Sequence, residues 1–256
     1  MRDRAGEQRG PRAALIVVAA GTGARLGATG HKALVPLGGV PLVAHCLRRL
    51  LALPWLDPVV VVGHPNDRRQ LAALLARLPR PVRLVDGGAQ RQDSVLAGLT
   101  ALQDWPESQA SGPAPDVVLV HDAARPFVPV ERLERLVELV REGGAALLAL
   151  PIADTVKEAA PGNPPRALAT LPRQHLWAAQ TPQAARRADL LALLTDAARA
   201  GRTVTDEASL FEAALLPVAF VEGSRFNFKV TSAEDLRLAE AVLSLEADGR
   251  SAERTG

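Results

Sequence analysis

Short apolar runs alternate along this chain with stretches of helical periodicity, and that alternation limits the possible folds more than any other feature. The runs at 13–19, 58–62, 82–85, 116–120 and 145–150 are rich in Val, Leu and Ala. Several are continuous in apolarity rather than alternating, as strands buried on both faces of a sheet are. Between them, 41–53, 66–78, 91–103 and 129–141 carry apolar residues at helical spacing, as in the stripe Val130, Leu133, Val137 and Val140. Strand and helix in alternation predict an α/β domain on a mostly parallel central sheet.

The rhythm breaks after Leu150. Residues 151–173 hold five prolines and read as an excursion from the sheet, an arm or a lid. Segment 105–115, "WPESQASGPAP", reads as a surface loop. Helical patterns return at 183–199 and 206–215, followed by the strand-like "PVAFVEG" and a helix from about Ser232, where Ser232 and Asp235 are spaced as a capping box. The expected organisation is a disordered lead over 1–12, one domain over 13–246 with the arm at 153–172, and a frayed tail over 247–256. The 256 residues are enough to bury a sizeable core.

Composition removes several function classes. No apolar run approaches the roughly 20 residues of a membrane-spanning helix, and no apolar stretch follows the basic N-terminus as a signal peptide requires. The formal charge of +2 is spread over interspersed acids and bases, so no nucleic-acid footprint is expected. A single cysteine, Cys46, leaves no internal disulfide framework or multi-cysteine metal site, which fits a reducing cytoplasm. Of the 30 Lys and Arg residues only Lys32, Lys157 and Lys229 are lysines, so each lysine invites a reason.

The segment "VVAAGTGARLGATGHK" follows the first predicted strand. Its Gly21, Gly23 and Gly27 suit backbone amides aimed at phosphate. The dinucleotide fingerprint wants glycine where Leu26 stands and an acid where Gly63-His64 stands, and the ATPase loop wants Gly-Lys-Ser/Thr where His31-Lys32-Ala33 stands. What is left is a long flexible loop carrying Arg25 and Lys32, able to wrap a triphosphate and neutralise charge at a reacting phosphorus. The alternative is an ordinary Gly-rich turn with solvated charges. In "VHDAARPFV", Asp122 ends a predicted strand with Arg125 three residues on. It is placed either to hold a hard cation or ribose hydroxyl, or to cap a helix or pair with Arg125. His45, His64, His121 and His175 read as packing or supporting groups, and the three tryptophans are too dispersed for a base-stacking platform.

Seven segments taken in order, "AAGTGARLG…HK", "DGGAQRQDSVLAGL", "VHDAARPFV", "PIADTVKEA", "LWAAQTPQ", "TDEASLFE" and "FNFKVTSAEDLRLAE", resemble the 2-C-methyl-D-erythritol 4-phosphate cytidylyltransferase family of the non-mevalonate isoprenoid pathway. The resemblance runs from about Ala14 to Leu243 and implies a nucleotide-diphospho-sugar transferase-like, Rossmann-like domain with a projecting arm that exchanges contacts in a homodimer. It implies CTP as co-substrate with Mg2+, and attack of the substrate phosphate on the α-phosphorus. Arg25 and Lys32 would stabilise the transition state, and Ala19, Ala20 and Gly21 would line the nucleotide, with Gly23 in the same loop. Gly88, Ala89 and Ser94 would read the cytosine. Asp122 and Ala123 would hold the ribose side, with Asp122 near the metal. Thr155, Arg173, Thr181, Thr205 and Lys229 would grip the sugar phosphate, with Arg125 nearby. The chain departs from the common pattern at His31 and Val18, where proline is frequent, and at Phe226-Asn227-Phe228. A phosphate monoester is largely dianionic at neutral pH, which accounts for the lack of a Ser-His-Asp or Cys-His arrangement. The competing readings are a cytidylyltransferase for ribitol 5-phosphate or another polyol phosphate, and a catalytically silent nucleotide-binding regulator.

Overall fold

The computed structural model describes residues 11–21, 23, 31–105 and 114–253. Its first strand, β1 (Ala13–Ala19), shows why the sheet lies between two layers. Leu15 and Val17 enter one apolar cluster and Ala14 and Ile16 the other, so successive side chains are buried on opposite faces. Flanking it are β4 (Leu56–Gly63) and β6 (Val117–Asp122), both parallel to it. A short ribbon, β2 (Pro36–Leu37) and β3 (Val40–Pro41), and α1 (Leu42–Leu50) lie between β1 and β4 in sequence. After β4 come α2 (Arg68–Leu75), β5 (Arg83–Asp86) and α3 (Arg91–Gln103). After β6 come α4 (Leu133–Glu142) and β7 (Ala145–Pro151).

One face of the sheet receives Leu47 and Leu50 of α1, Leu71 of α2 and Leu133, Leu136 and Val140 of α4. The other receives Val95, Leu99 and Leu102 of α3. Each fully buried leucine of this kind contributes roughly 2 kcal/mol through removal of its apolar area from water.

The excursion after β7 is a two-stranded antiparallel hairpin, β8 (Val156–Ala160) and β9 (Arg166–Leu171), within the expected arm 153–172. The chain then returns through β10 (Trp177–Arg186), α5 (Arg187–Arg199), α6 (Ala208–Ala213), β11 (Val218–Glu222) and α7 (Ala233–Glu253). The sheet order is β11-β7-β10-β6-β1-β4-β5, with β10 antiparallel to both neighbours and every other pairing parallel.

One expectation is corrected. Residues 183–186 belong to β10 and not to the helix read over 183–199, which begins at Arg187. Pro182 disguises this strand by removing a ladder donor; the pairing with β7 shifts register between Ala179 and Gln183, around that proline. The last helix runs from Ala233 to Glu253. The predicted Ser232–Asp235 cap is present: Asp235 N donates to Ser232 Oγ at 3.2 Å and Ser232 N to Asp235 Oδ2 at 2.9 Å. Most of the 1–12 lead and most of the 105–115 loop lie outside the described residues.

Candidate active site

In an open α/β sheet, ligands bind beyond the carboxyl ends of the parallel strands. Here β1, β5 and β6 end at Ala19, Asp86 and Asp122, and the chain segments that follow them meet around a cavity of about 270 Å3. After β1, Ala19, Ala20 and Gly21 line the cavity and the glycine loop returns at Lys32, whose N–H donates to Gly21 O at 3.2 Å. Gly23 has φ +65, and a Cβ there would stand 3.1 Å from Lys32 Cβ, so only glycine fits the closing of this loop without strain. Lys32 opens a single 3-10 turn, Lys32–Leu34, and lines the cavity. Arg25 lies outside the described residues.

The turn between β5 and α3 supplies a second wall. Gly88 approaches α3 so closely that a Cβ would come within 2.4 Å of Asp93 Cβ. Gln90 and Asp93 form the reciprocal cap of α3, with Gln90 N donating to Asp93 Oδ2 at 3.0 Å. This cap fixes Gly88, Ala89 and buried Ser94 on the cavity wall.

Asp122 forms the floor. Its backbone N–H donates to Thr181 Oγ1 at 3.0 Å, and Thr181 Oγ1 lies 3.1 Å from His121 Nδ1. His121 Nε2 lies 3.0 Å from the carbonyl oxygen of Arg125. Both contacts are met by a neutral imidazole donating from Nε2 and accepting at Nδ1. Burial pushes His121 down to about 4, so it stays neutral at physiological pH.

The Asp122 carboxylate is held by Arg91 Nε at 3.1 Å on Oδ1 and by Lys229 Nζ at 2.8 Å on Oδ2, with Arg125 Nε at 3.8 Å. Burial alone would raise this carboxyl, but Arg91, Lys229 and Arg125 outweigh it and hold the group well below the ordinary carboxylate range. Arg91 also grips Glu207 with both terminal nitrogens, at 2.6 and 3.0 Å. Although burial opposes its charge, Glu207 and Asp122 keep the Arg91 guanidinium protonated. Burial pushes Glu207 upward, and the Arg91 fork opposes it.

The cavity therefore gathers Ala19, Ala20, Gly21, Lys32, Gly88, Ala89, Ser94, Asp122, Ala123 and Lys229. Thr181 and Arg125 sit behind Asp122, and Arg125 Nη1 donates to Asn227 O at 2.8 Å. Thr155, Arg173 and Thr205 are exposed and do not line the cavity; the Arg173 guanidinium donates to Ala153 O at the base of the arm.

Arg91, Gln90 and Glu207 went unassigned in the sequence reading. All three lie inside the segments "DGGAQRQDSVLAGL" and "TDEASLFE", but Arg91 is one arginine among many and its partner Glu207 is 116 residues away. Nothing local marks the pair.

Among the described residues no three His, Cys, Asp or Glu side chains converge as a metal cage. Mg2+ is often bound through one or two carboxylates together with substrate phosphates, and Asp122 meets that pattern as a single carboxylate with further lone pairs beside the cavity. A cation arriving at its Oδ2 would compete with Lys229.

A family model described as 2-C-methyl-D-erythritol 4-phosphate cytidylyltransferase matches residues 13–245. A protein of that name from Streptomyces coelicolor is 43% identical over 245 residues, covering 91% of this chain and 85% of the relative. One from Aromatoleum aromaticum is 44% identical, covering 91% and 96%. The crystal structure of the Thermus thermophilus protein of the same name superposes with a TM-score of 0.70 at 33% identity, covering 90% of this chain and 98% of that one.

Proposed function

The chain belongs to the 2-C-methyl-D-erythritol 4-phosphate cytidylyltransferase family, and from that premise we propose that it transfers CMP from CTP to 2-C-methyl-D-erythritol 4-phosphate, releasing pyrophosphate and 4-diphosphocytidyl-2-C-methyl-D-erythritol. The observation that carries this reading is one cavity at the strand ends where Lys32, from the glycine loop, and Lys229, from the far end of the chain, meet around Asp122. Two anionic reactants have to be brought together there, and cations from separate segments suit that task.

The small residues Ala19, Ala20, Gly21, Gly88 and Ala89 leave room for backbone to approach the nucleotide, and buried Ser94 offers a hydroxyl at the wall. Lys32, with Arg25 from the same loop, neutralises charge as it builds at the α-phosphorus. The phosphate monoester is itself the nucleophile and needs no general base; His121, buried and neutral, serves to orient Asp122 through Thr181. Pyrophosphate leaves as the new phosphorus–oxygen bond forms. Mg2+ held by Asp122 and the nucleotide phosphates would add Lewis-acid charge neutralisation when bound. Lys229, Arg173, Thr155 and Thr205 hold the sugar phosphate, with Arg125 and Thr181 fixing the floor beneath it.

Exposure of Thr155 on the arm and of Arg173 at its base supports a homodimer in which the arm docks on a second copy. Leu168 is 66% exposed, and Trp177 and Phe220, whose rings lie 5.5 Å apart, are 40% and 48% exposed, an apolar surface suited to such a contact. The single cysteine of the sequence, Cys46, fits a reducing cytoplasm. Among the described residues no helix is long and apolar enough to cross a membrane.

The test is pyrophosphate release from Mg2+ and CTP with either methylerythritol phosphate or ribitol 5-phosphate as acceptor. Release with methylerythritol phosphate is expected. Preference for ribitol phosphate would replace the acceptor assignment, and release with neither would favour a silent nucleotide binder.

A further inference from the structure

His31 is the residue of the glycine loop that the family pattern leaves unexplained, and its surroundings give it a task. Its backbone precedes the Lys32–Leu34 turn with φ −74 and ψ 148, yet its side chain makes no capping hydrogen bond to that turn. The imidazole instead stacks on His64, ring centroids 3.8 Å apart at 21°. His31 Nδ1 also lies 2.8 Å from Asp67 Oδ2, a contact whose angle falls outside that of a hydrogen bond. The two side chains are only 18% and 10% exposed, so the contact is shielded from solvent. His64 and Asp67 are themselves fixed: His64 Nδ1 accepts from Asn66 N at 3.2 Å, and Asp67 N donates to His64 O at 2.9 Å. This turn directly follows Gly63, which pairs with Ala19 at the end of β1.

We propose that His31 is a positioning residue for Lys32: its ring, held between His64 and Asp67, fixes the backbone from which Lys32 enters the cavity. The inference rests on the reading of Lys32 as the cation at the reacting phosphorus. Lysine is a compact charge on a flexible stem, so its placement depends on how firmly its own backbone is anchored. One anchor is the bond from Lys32 N to Gly21 O; the His31 ring, against His64 and Asp67, supplies the second. Proline locks φ near −65°, close to the value of His31. A proline at this position therefore imposes through the main chain what the histidine imposes through its side chain.

This equivalence gives a test that a merely stabilising contact would fail. Steady-state kinetics with CTP and methylerythritol phosphate are measured for the wild type, H31A, H31P, D67N and H31P/D67N, together with hydrogen exchange of the Leu34 and Val35 amides, which bond to His31 O and Lys32 O. H31A should lower kcat about tenfold with KM for CTP within about twofold, the pattern of a displaced catalytic group. H31P should restore kcat. D67N should lower kcat when His31 is present and leave it unchanged in the H31P background. Exchange at Leu34 and Val35 should quicken in H31A and D67N and return to the wild-type rate in H31P. The proposal is overturned by wild-type kcat and exchange in H31A, by an H31P enzyme as impaired as H31A, or by an equal cost of D67N in both backgrounds. If D67N does not fold, H31A and H31P still decide. If the wild type itself releases no pyrophosphate, the role of Lys32 falls, while the exchange rates still decide whether His31 anchors the turn.

Discussion

The scarcity of lysine proves informative at the scale of single residues. Two of the three, Lys32 and Lys229, line the cavity, and the third, Lys157, bonds Thr170 Oγ1 across the arm hairpin at 2.6 Å. Replacing Lys32 with alanine should reduce kcat by about 100-fold or more while KM for CTP changes only a few-fold, since charge neutralisation at the phosphorus is strongest in the transition state. Turnover within a few-fold of wild type in steady-state assays would remove Lys32 from the chemistry. Asp122 was visible as a carboxylate at a strand end. Arg125, three residues on, was visible as a partner and Lys229 stood out by its scarcity, but Arg91 was not, because it and the Glu207 that anchors it come from segments far apart in sequence and each looks ordinary where it stands.

Elements with unbroken apolar runs were legible. β1 and α3 occupy the residues the pattern indicates, because burial on both faces for the one and a capped helical stretch for the other leave a plain local mark. β10 left no such mark. It is the only described strand of the main sheet antiparallel to its neighbours, it contains Pro182, and much of it is alanine and glutamine. The prolines after Leu150 did signal a departure from the sheet, and it takes the form of the β8–β9 hairpin. Replacing residues 156–171 with two glycines should yield a monomer and raise KM for the sugar phosphate about tenfold or more, with KM for CTP within about twofold, as expected if the arm carries acceptor contacts across a dimer. Light scattering and steady-state kinetics check both halves. A shortened chain that remains dimeric would show that the arm is not the dimer contact.

For the molecule as a whole, the buried polar floor beneath the cavity links stability to pH. Folded His121 titrates at about 4, whereas an unfolded histidine titrates near 6.5. Between those values the unfolded chain takes up the proton and the folded chain does not. Stability should therefore fall as pH drops from about 6.5 towards 4, by up to about 3 kcal/mol from this group. Asp122, depressed by its three cationic neighbours, adds a further loss as pH falls through the carboxylate range and below. Denaturant midpoints at pH 7 and pH 4.5 should differ less for His121→Gln than for the wild type; equal differences would show that another group sets the slope.

The sequence by itself determined the layered α/β plan, the glycine loop and the family, since apolar periodicity and local motif spacing are written in consecutive residues. Tertiary structure alone decided that Arg91 binds both Asp122 and Glu207, that β10 runs between β7 and β6, and that His31 rests between His64 and Asp67. These are contacts between distant segments, set by how the strands stack and where their ends converge, and no window of neighbouring residues contains that information.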